Sequence, residues 1–136
     1  MKDKYEQLKE EALKAVQNAY SPYSNIKIGA AVMAGSGKIY TGANIENASF
    51  GATICAERTA IVKAMSEKEQ YISAIAITGD INDYAFPCGI CRQVMSEFMK
   101  KDALIFVSGN DLKWKQYQLK ELLPNSFDFY ASKKGS

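Results

Sequence analysis

The chain has 136 residues, 47% of them hydrophobic and 24% charged, which is the size and composition of one compact domain and excludes disorder and fibrous structure. Its 17 Lys and Arg against 15 Asp and Glu leave a net charge of +2 with no dense basic stripe, so no nucleic-acid polymer is expected as a partner. No apolar run approaches the roughly 20 residues of a spanning helix, and the charged opening Met1-Lys2-Asp3-Lys4 is not followed by a signal-like apolar stretch, so a soluble, cytoplasmic protein with no membrane partner is expected.

Residues 3 to 20 place Tyr5, Leu8, Ala12, Ala15, Val16 and Ala19 at helical spacing, with Asp3 and Glu6 positioned as a capping box. An amphipathic helix is therefore expected, ending at Ser21-Pro22-Tyr23-Ser24. Ile26 to Ala34 and Lys38 to Ala43 flank Gly35-Ser36-Gly37, the pattern of a hairpin. Cys55 to Ser66 reads as a helix, and Tyr71 to Thr78, with short β-branched and small apolar residues, as a strand. Pro87-Cys88-Gly89-Ile90-Cys91 opens another helix to about Lys100, and Ala103 to Val107 is a buried-strand run. A last strand is expected at Trp114 to Gln118 and a helical turn at Lys120 to Leu123, with 131–136 as a loose tail of the single domain 1–136. This order implies an α/β fold, one mixed five-stranded sheet with helices on both faces. Chemistry in such sheets collects where strand ends meet helix starts.

Histidine is absent and there are three cysteines. The commonest general base and metal ligand is thereby removed, and catalysis is left to carboxylates, thiolates or lysine. Cys88-x-x-Cys91 alone serves redox motifs, structural zinc sites and chance alike, and any one cysteine alone reads as a small buried hydrophobe. Together with Cys55 the pair sits at the starts of two helices, whose positive dipole ends lower thiol pKa values. Three thiolates suit zinc, and with no fourth Cys or His one coordination position stays open, as in catalytic sites. Glu57 reaches such an ion only if the ion sits over the helix end. Three anionic ligands call for a compensating cation, and Arg58 and Arg92 each directly follow a site residue.

Cys55-Ala56-Glu57-Arg58-Thr59-Ala60 and Pro87-Cys88-Gly89-Ile90-Cys91-Arg92-Gln93 resemble the zinc signature of the cytidine deaminases, with cysteine in the place of its histidine. The pattern is similar to the small homotetrameric nucleoside deaminases that carry three cysteine ligands. The resemblance runs from Ala19-Tyr20-Ser21-Pro22-Tyr23-Ser24 through Gly42-Ala43-Asn44-Ile45-Glu46-Asn47-Ala48 to Glu121-Leu122-Leu123-Pro124-Asn125-Ser126-Phe127. It implies a three-layer α/β/α fold, one Zn²⁺ per chain held by Cys55, Cys88 and Cys91, and hydrolysis of cytidine or 2′-deoxycytidine at C4 with release of ammonia in pyrimidine salvage. Glu57 would move the protons, the Ala56 backbone would meet the exocyclic region of the base, and Asn44 with Glu46 would bind the ribose 3′-hydroxyl. Phe127 would cover the base of a neighbouring subunit in a homotetramer.

The family usually has an aromatic residue where this chain has Ile26. Ile26 still offers the base an apolar surface but no stacking, with Phe86 as a partial substitute. Two other readings compete. A deaminase of a cytosine-bearing antibiotic such as blasticidin S would share the zinc motifs, but Asn44, Glu46 and Phe127 argue against it. A structural zinc or RNA-binding module is opposed by the missing fourth ligand and the balanced charge.

Overall fold

The structure, a computed structural model, describes residues 3–128; the tail expected at 131–136 lies outside them. Helix α1 (Lys4–Ala15) starts where the Asp3 carboxylate accepts from the Tyr5 and Glu6 amides at 2.8 and 2.9 Å, satisfying two of the donors that a helix start leaves unpaired. It gives way at Val16–Asn18 to a 3₁₀ turn, so it is shorter than the periodicity to residue 20 predicts. Strands β1 (Ile28–Ala34) and β2 (Ile39–Ala43) form the expected hairpin, with Gly37 at φ 92 in its turn, a backbone region that glycine enters without steric cost.

Helix α2 (Ala56–Ser66), strand β3 (Ile72–Gly79), helix α3 (Gly89–Phe98), strand β4 (Met99–Val107), strand β5 (Lys115–Gln118) and helix α4 (Leu119–Leu122) complete the order. The sheet runs β2-β1-β3-β4-β5. It is antiparallel except for the β3–β4 pair, whose parallel crossover is made by α3. β4 begins directly after α3, four residues before the apolar run suggests. Its register to β3 jumps from Ile72↔Met99 to Ala74↔Leu104, so Lys100, Lys101 and Asp102 bulge out of the ladder.

Alternation in β1 and β3 supplies two cores. Ala30, Val32, Ile75 and Ile77 face α2 and α3 through Ala60, Ile61 and Met95. Ala31, Met33, Ala74 and Ala76 face Leu8 and Ala12 of α1. This is a mixed sheet with helices on both faces, as expected from the element order.

Candidate active site and metal centre

Cys55 and Cys88 are the N-cap residues of α2 and α3, and neither side chain spends itself on a capping bond. Cys91 lies in the first turn of α3 and is fully buried. The Cys55 and Cys88 sulfurs are 3.8 Å apart and those of Cys88 and Cys91 3.5 Å, and all three lie within 4.8 Å of one another. Thiolates on one tetrahedral zinc, with bonds of about 2.3 Å, stand about 3.8 Å apart. The donor set and its spacing therefore fit zinc. Among the described residues this is the group of side chains that could hold a metal, and it supplies three protein ligands, leaving a fourth position for a small molecule.

The cluster is electrostatically prepared. Hydrogen bonding from Cys91, with help from Arg58 and Cys88, holds the Cys55 thiol down to about 5, whereas donating to Cys55 and being buried push Cys91 up. Arg58 Nη2 donates to the Cys55 sulfur at 3.7 Å and to the Thr53 carbonyl at 3.3 Å, so it is the cation at the thiolates. Arg92 is not. Its Nε donates to Pro87 O and its Nη1 to Leu122 O, both at 2.8 Å, which ties the Cys88 loop to α4. Two of its five N–H donors are thus taken by backbone carbonyls.

Glu57 is the second residue of α2 and only 4% exposed. Burial pushes its carboxyl up to about 7, with the neighbouring Cys55 charge adding to the effect. A carboxyl poised there can both take up and release a proton near neutral pH.

A cavity of about 400 Å³ opens over these groups. Ile26, Asn44, Glu46, Ala56, Glu57, Cys55 and Cys88 all line it. Asn25, at φ 61, turns the chain into this wall; asparagine tolerates that backbone region. Asn44 Oδ1 accepts from the Ile28 amide at 2.9 Å and its Nδ2 donates to the Ile26 carbonyl at 2.8 Å, leaving one N–H free to donate. Glu46 accepts from the Tyr23 and Ser24 amides at 2.9 and 3.1 Å and from the Ser24 hydroxyl, and the hydroxyl foremost holds this carboxyl below its usual range. A carboxylate has about four acceptor sites, so one remains.

The family described as "Cytidine and deoxycytidylate deaminase zinc-binding region" matches residues 2–107. A cytidine deaminase of Halalkalibacterium halodurans is 44% identical over 117 residues, 86% of this chain and 89% of the relative. The chain belongs to the cytidine deaminases. The crystal structure of a cytidine deaminase from Burkholderia pseudomallei superposes with a TM-score of 0.86 at 38% identity, covering 90% of this chain and 98% of that one. One from Mycobacterium tuberculosis gives 0.81 at 32% identity, covering 94% and 100%. Membership makes the chain a hydrolytic deaminase, an enzyme that cleaves a cyclic amidine C–N bond.

For a cytidine deaminase site read from sequence, the gathering of residues is nearly complete: the three cysteines, Glu57, Ala56, Asn44, Glu46 and Ile26 meet in one place. Phe127 does not join them. It is 63% exposed and lines a separate groove with Leu119 and Leu123. Two contributors escaped the sequence reading. Tyr84 adds a ring to the cavity wall, and Ser24 holds the Glu46 carboxylate. The Tyr-Ser pair at 23 and 24 was visible as part of the resemblance, but nothing in its spacing tells that it serves Glu46, which lies more than twenty residues on in the chain. Among the described residues no helix is long and apolar enough to cross a membrane.

Proposed function

We propose that the chain hydrolyses cytidine and 2′-deoxycytidine to uridine and 2′-deoxyuridine in pyrimidine salvage. The observation that carries this is the buried Glu57 carboxyl in the same cavity as Cys55 and Cys88, with Asn44 and Glu46 on its wall. Cys55, Cys88 and Cys91 would hold one zinc, which when bound acts as a Lewis acid that makes water nucleophilic at neutral pH. Glu57 takes one proton of the attacking water and delivers it to ring N3, then takes the second from the hydroxyl that the attack leaves on C4 and passes it to the departing amine, which leaves as ammonia while the C4 carbonyl forms. The free Asn44 N–H donates to the ribose 3′-hydroxyl while that hydroxyl donates to the last acceptor site of Glu46. A phosphate at the same position would meet the Glu46 charge and be repelled, which supports free nucleosides as substrates.

The free state of the three cysteines suits a reducing compartment, and we place the reaction in the cytoplasm. The 63% exposure of Phe127, away from the cavity of its own chain, supports a homotetramer in which it covers a neighbour's substrate. Purified protein of known zinc content, mixed with cytidine, should bleach the cytidine absorbance band and release ammonia, and removal of zinc by a chelator should abolish the loss. An unchanged spectrum with zinc-loaded protein refutes the reading.

A further inference from the structure

The cavity has a ring that the family resemblance does not assign. Phe86 lines it together with Ile26, and it is held more tightly than a loop residue requires. The Ala85 amide donates to Ser108 O at 3.0 Å and the Phe86 amide to Tyr84 O at 2.9 Å, while Pro87 and Cys88 follow at once, so the backbone that carries the ring is fixed to the end of β4 and to the metal centre. The ring packs on Tyr84 at 6.2 Å, tilted by 56°, and on Tyr117 of β5 at 5.5 Å, tilted by 60°. Tilted neighbours of this kind brace a ring without covering it in parallel, and Phe86 stays 42% exposed. Tyr84 also lines the cavity, but Lys115 Nζ sits 4.3 Å from its ring centroid and occupies one of its faces. Ile26 has no π system to offer.

We propose that Phe86 is the residue against which the pyrimidine ring packs in this enzyme, so that the aromatic contact absent at position 26 is supplied from the Cys88 loop. The inference rests on the deaminase reading above and adds to it the source of base recognition. An aromatic contact beyond plain apolar burial corresponds to about a 2- to 10-fold change in affinity.

The test compares zinc-loaded wild type with Phe86→Leu, which keeps an apolar side chain and removes the ring. Inhibition constants are measured for uridine and for 5,6-dihydrouridine, whose base is no longer aromatic, alongside KM and kcat for cytidine. The expected result is a weakening of about 2- to 10-fold for uridine, a matching rise in cytidine KM, unchanged kcat, and little change for dihydrouridine. Equal losses for the two ligands, or none for uridine, overturn the proposal, and cytidine turnover by the wild type keeps the deaminase reading in place. A wild type that neither binds nor deaminates cytidine overturns the deaminase reading itself and this inference with it. If Phe86→Leu loses zinc, Tyr117→Leu, which removes the brace from β5, carries the same comparison: a smaller uridine-selective loss supports the proposal, and equal or absent losses refute it.

Discussion

On one face of the sheet α1 lies over Gly29, and on the other α2 lies over Gly42. A Cβ at Gly29 would come within 2.4 Å of the Ala12 carbonyl oxygen, and one at Gly42 within 2.5 Å of the Ala60 nitrogen. Both helices are thus seated by the same device, a glycine in the β1–β2 hairpin that lets helix backbone approach strand backbone. Their N-termini diverge. Asp3 caps α1 with its own carboxylate, so that helix start is satisfied within the chain and its buried side is apolar. Cys55 at the start of α2 makes no capping bond, and the next turn buries Glu57, a group that costs stability when charged. The difference separates a face that secures the fold from one that holds reactive groups in poor solvation for the sake of chemistry.

Two substitutions pull this comparison apart. Glu57→Gln should retain zinc and nucleoside binding while turnover falls by at least about 10²-fold, because the amide fills the same volume and cannot carry the proton; steady-state kinetics with metal analysis checks it, and near-wild-type turnover would assign the proton transfer elsewhere. Leu8→Ala, on the opposite face where Leu8 is fully buried, should cost about 2–5 kcal/mol of stability. Its folded fraction should keep zinc stoichiometry and cytidine KM. Denaturant unfolding measures the first part, and a large change in KM at full folding would mean that the faces are coupled.

Much of this division was legible in the residues. The two helix starts that carry the cysteines, the hairpin around Gly35-Ser36-Gly37 and the strand Ile72–Gly79 all follow from turn chemistry and apolar patterning, and the structure has them within a residue or two. Periodicity failed where polar residues sit in regular structure: Lys100, Lys101 and Asp102 extend β4 forward as a bulged segment, and no apolar signal marks them. It failed again at the end of α1, where apolar Val16 and Ala19 continue the stripe although the chain has already tightened into a 3₁₀ turn. Arg92 shows a further limit, because adjacency to Cys91 says nothing about which carbonyls its guanidinium meets in space. The setting of Phe86 belongs to the same class. Its neighbour Tyr117 comes from β5, a contact that only the sheet order creates.

Within the functional face, the sugar contact proposed for Glu46 can be tested apart from the metal centre. Glu46→Gln should weaken cytidine binding by about 1.5–3 kcal/mol, the range for a hydrogen bond to a charged group, and should hardly affect a nucleoside that lacks the 3′-hydroxyl. Competitive inhibition by the two compounds resolves the difference. Equal losses would show that Glu46 acts by organising Tyr23 and Ser24 and makes no contact with the sugar.

The smallest effect is expected at the far end of the hairpin, where a polar cluster lies outside the cavity and only the Tyr40 ring reaches into the core under α2. Tyr40 donates to Glu69 Oε2 at 2.8 Å and Ser36 donates to the same oxygen at 3.0 Å. That bond to Glu69, reinforced by burial, raises the Tyr40 phenol from 10.0 to about 12, and the two hydroxyl donors, Tyr40 foremost, lower Glu69. A raised phenol favours the protonated form in the folded state, so its contribution is complete below pH 10 and is lost as the pH rises toward 12. A lowered carboxyl acts in the other direction: its contribution is present above the ordinary carboxylate pKa of about 4.3 and fades as the solution is acidified through the lowered value. Tyr40→Phe removes the phenol and the larger of the two bonds to Glu69. The wild type should therefore lose Tm more steeply than Tyr40→Phe in the alkaline window and also on acidification, with cytidine KM the same in both proteins at neutral pH. Melting curves that run parallel across both limbs would show that the cluster adds nothing to stability, and a changed KM would join this end of the hairpin to the site that Gly42 seats at the other.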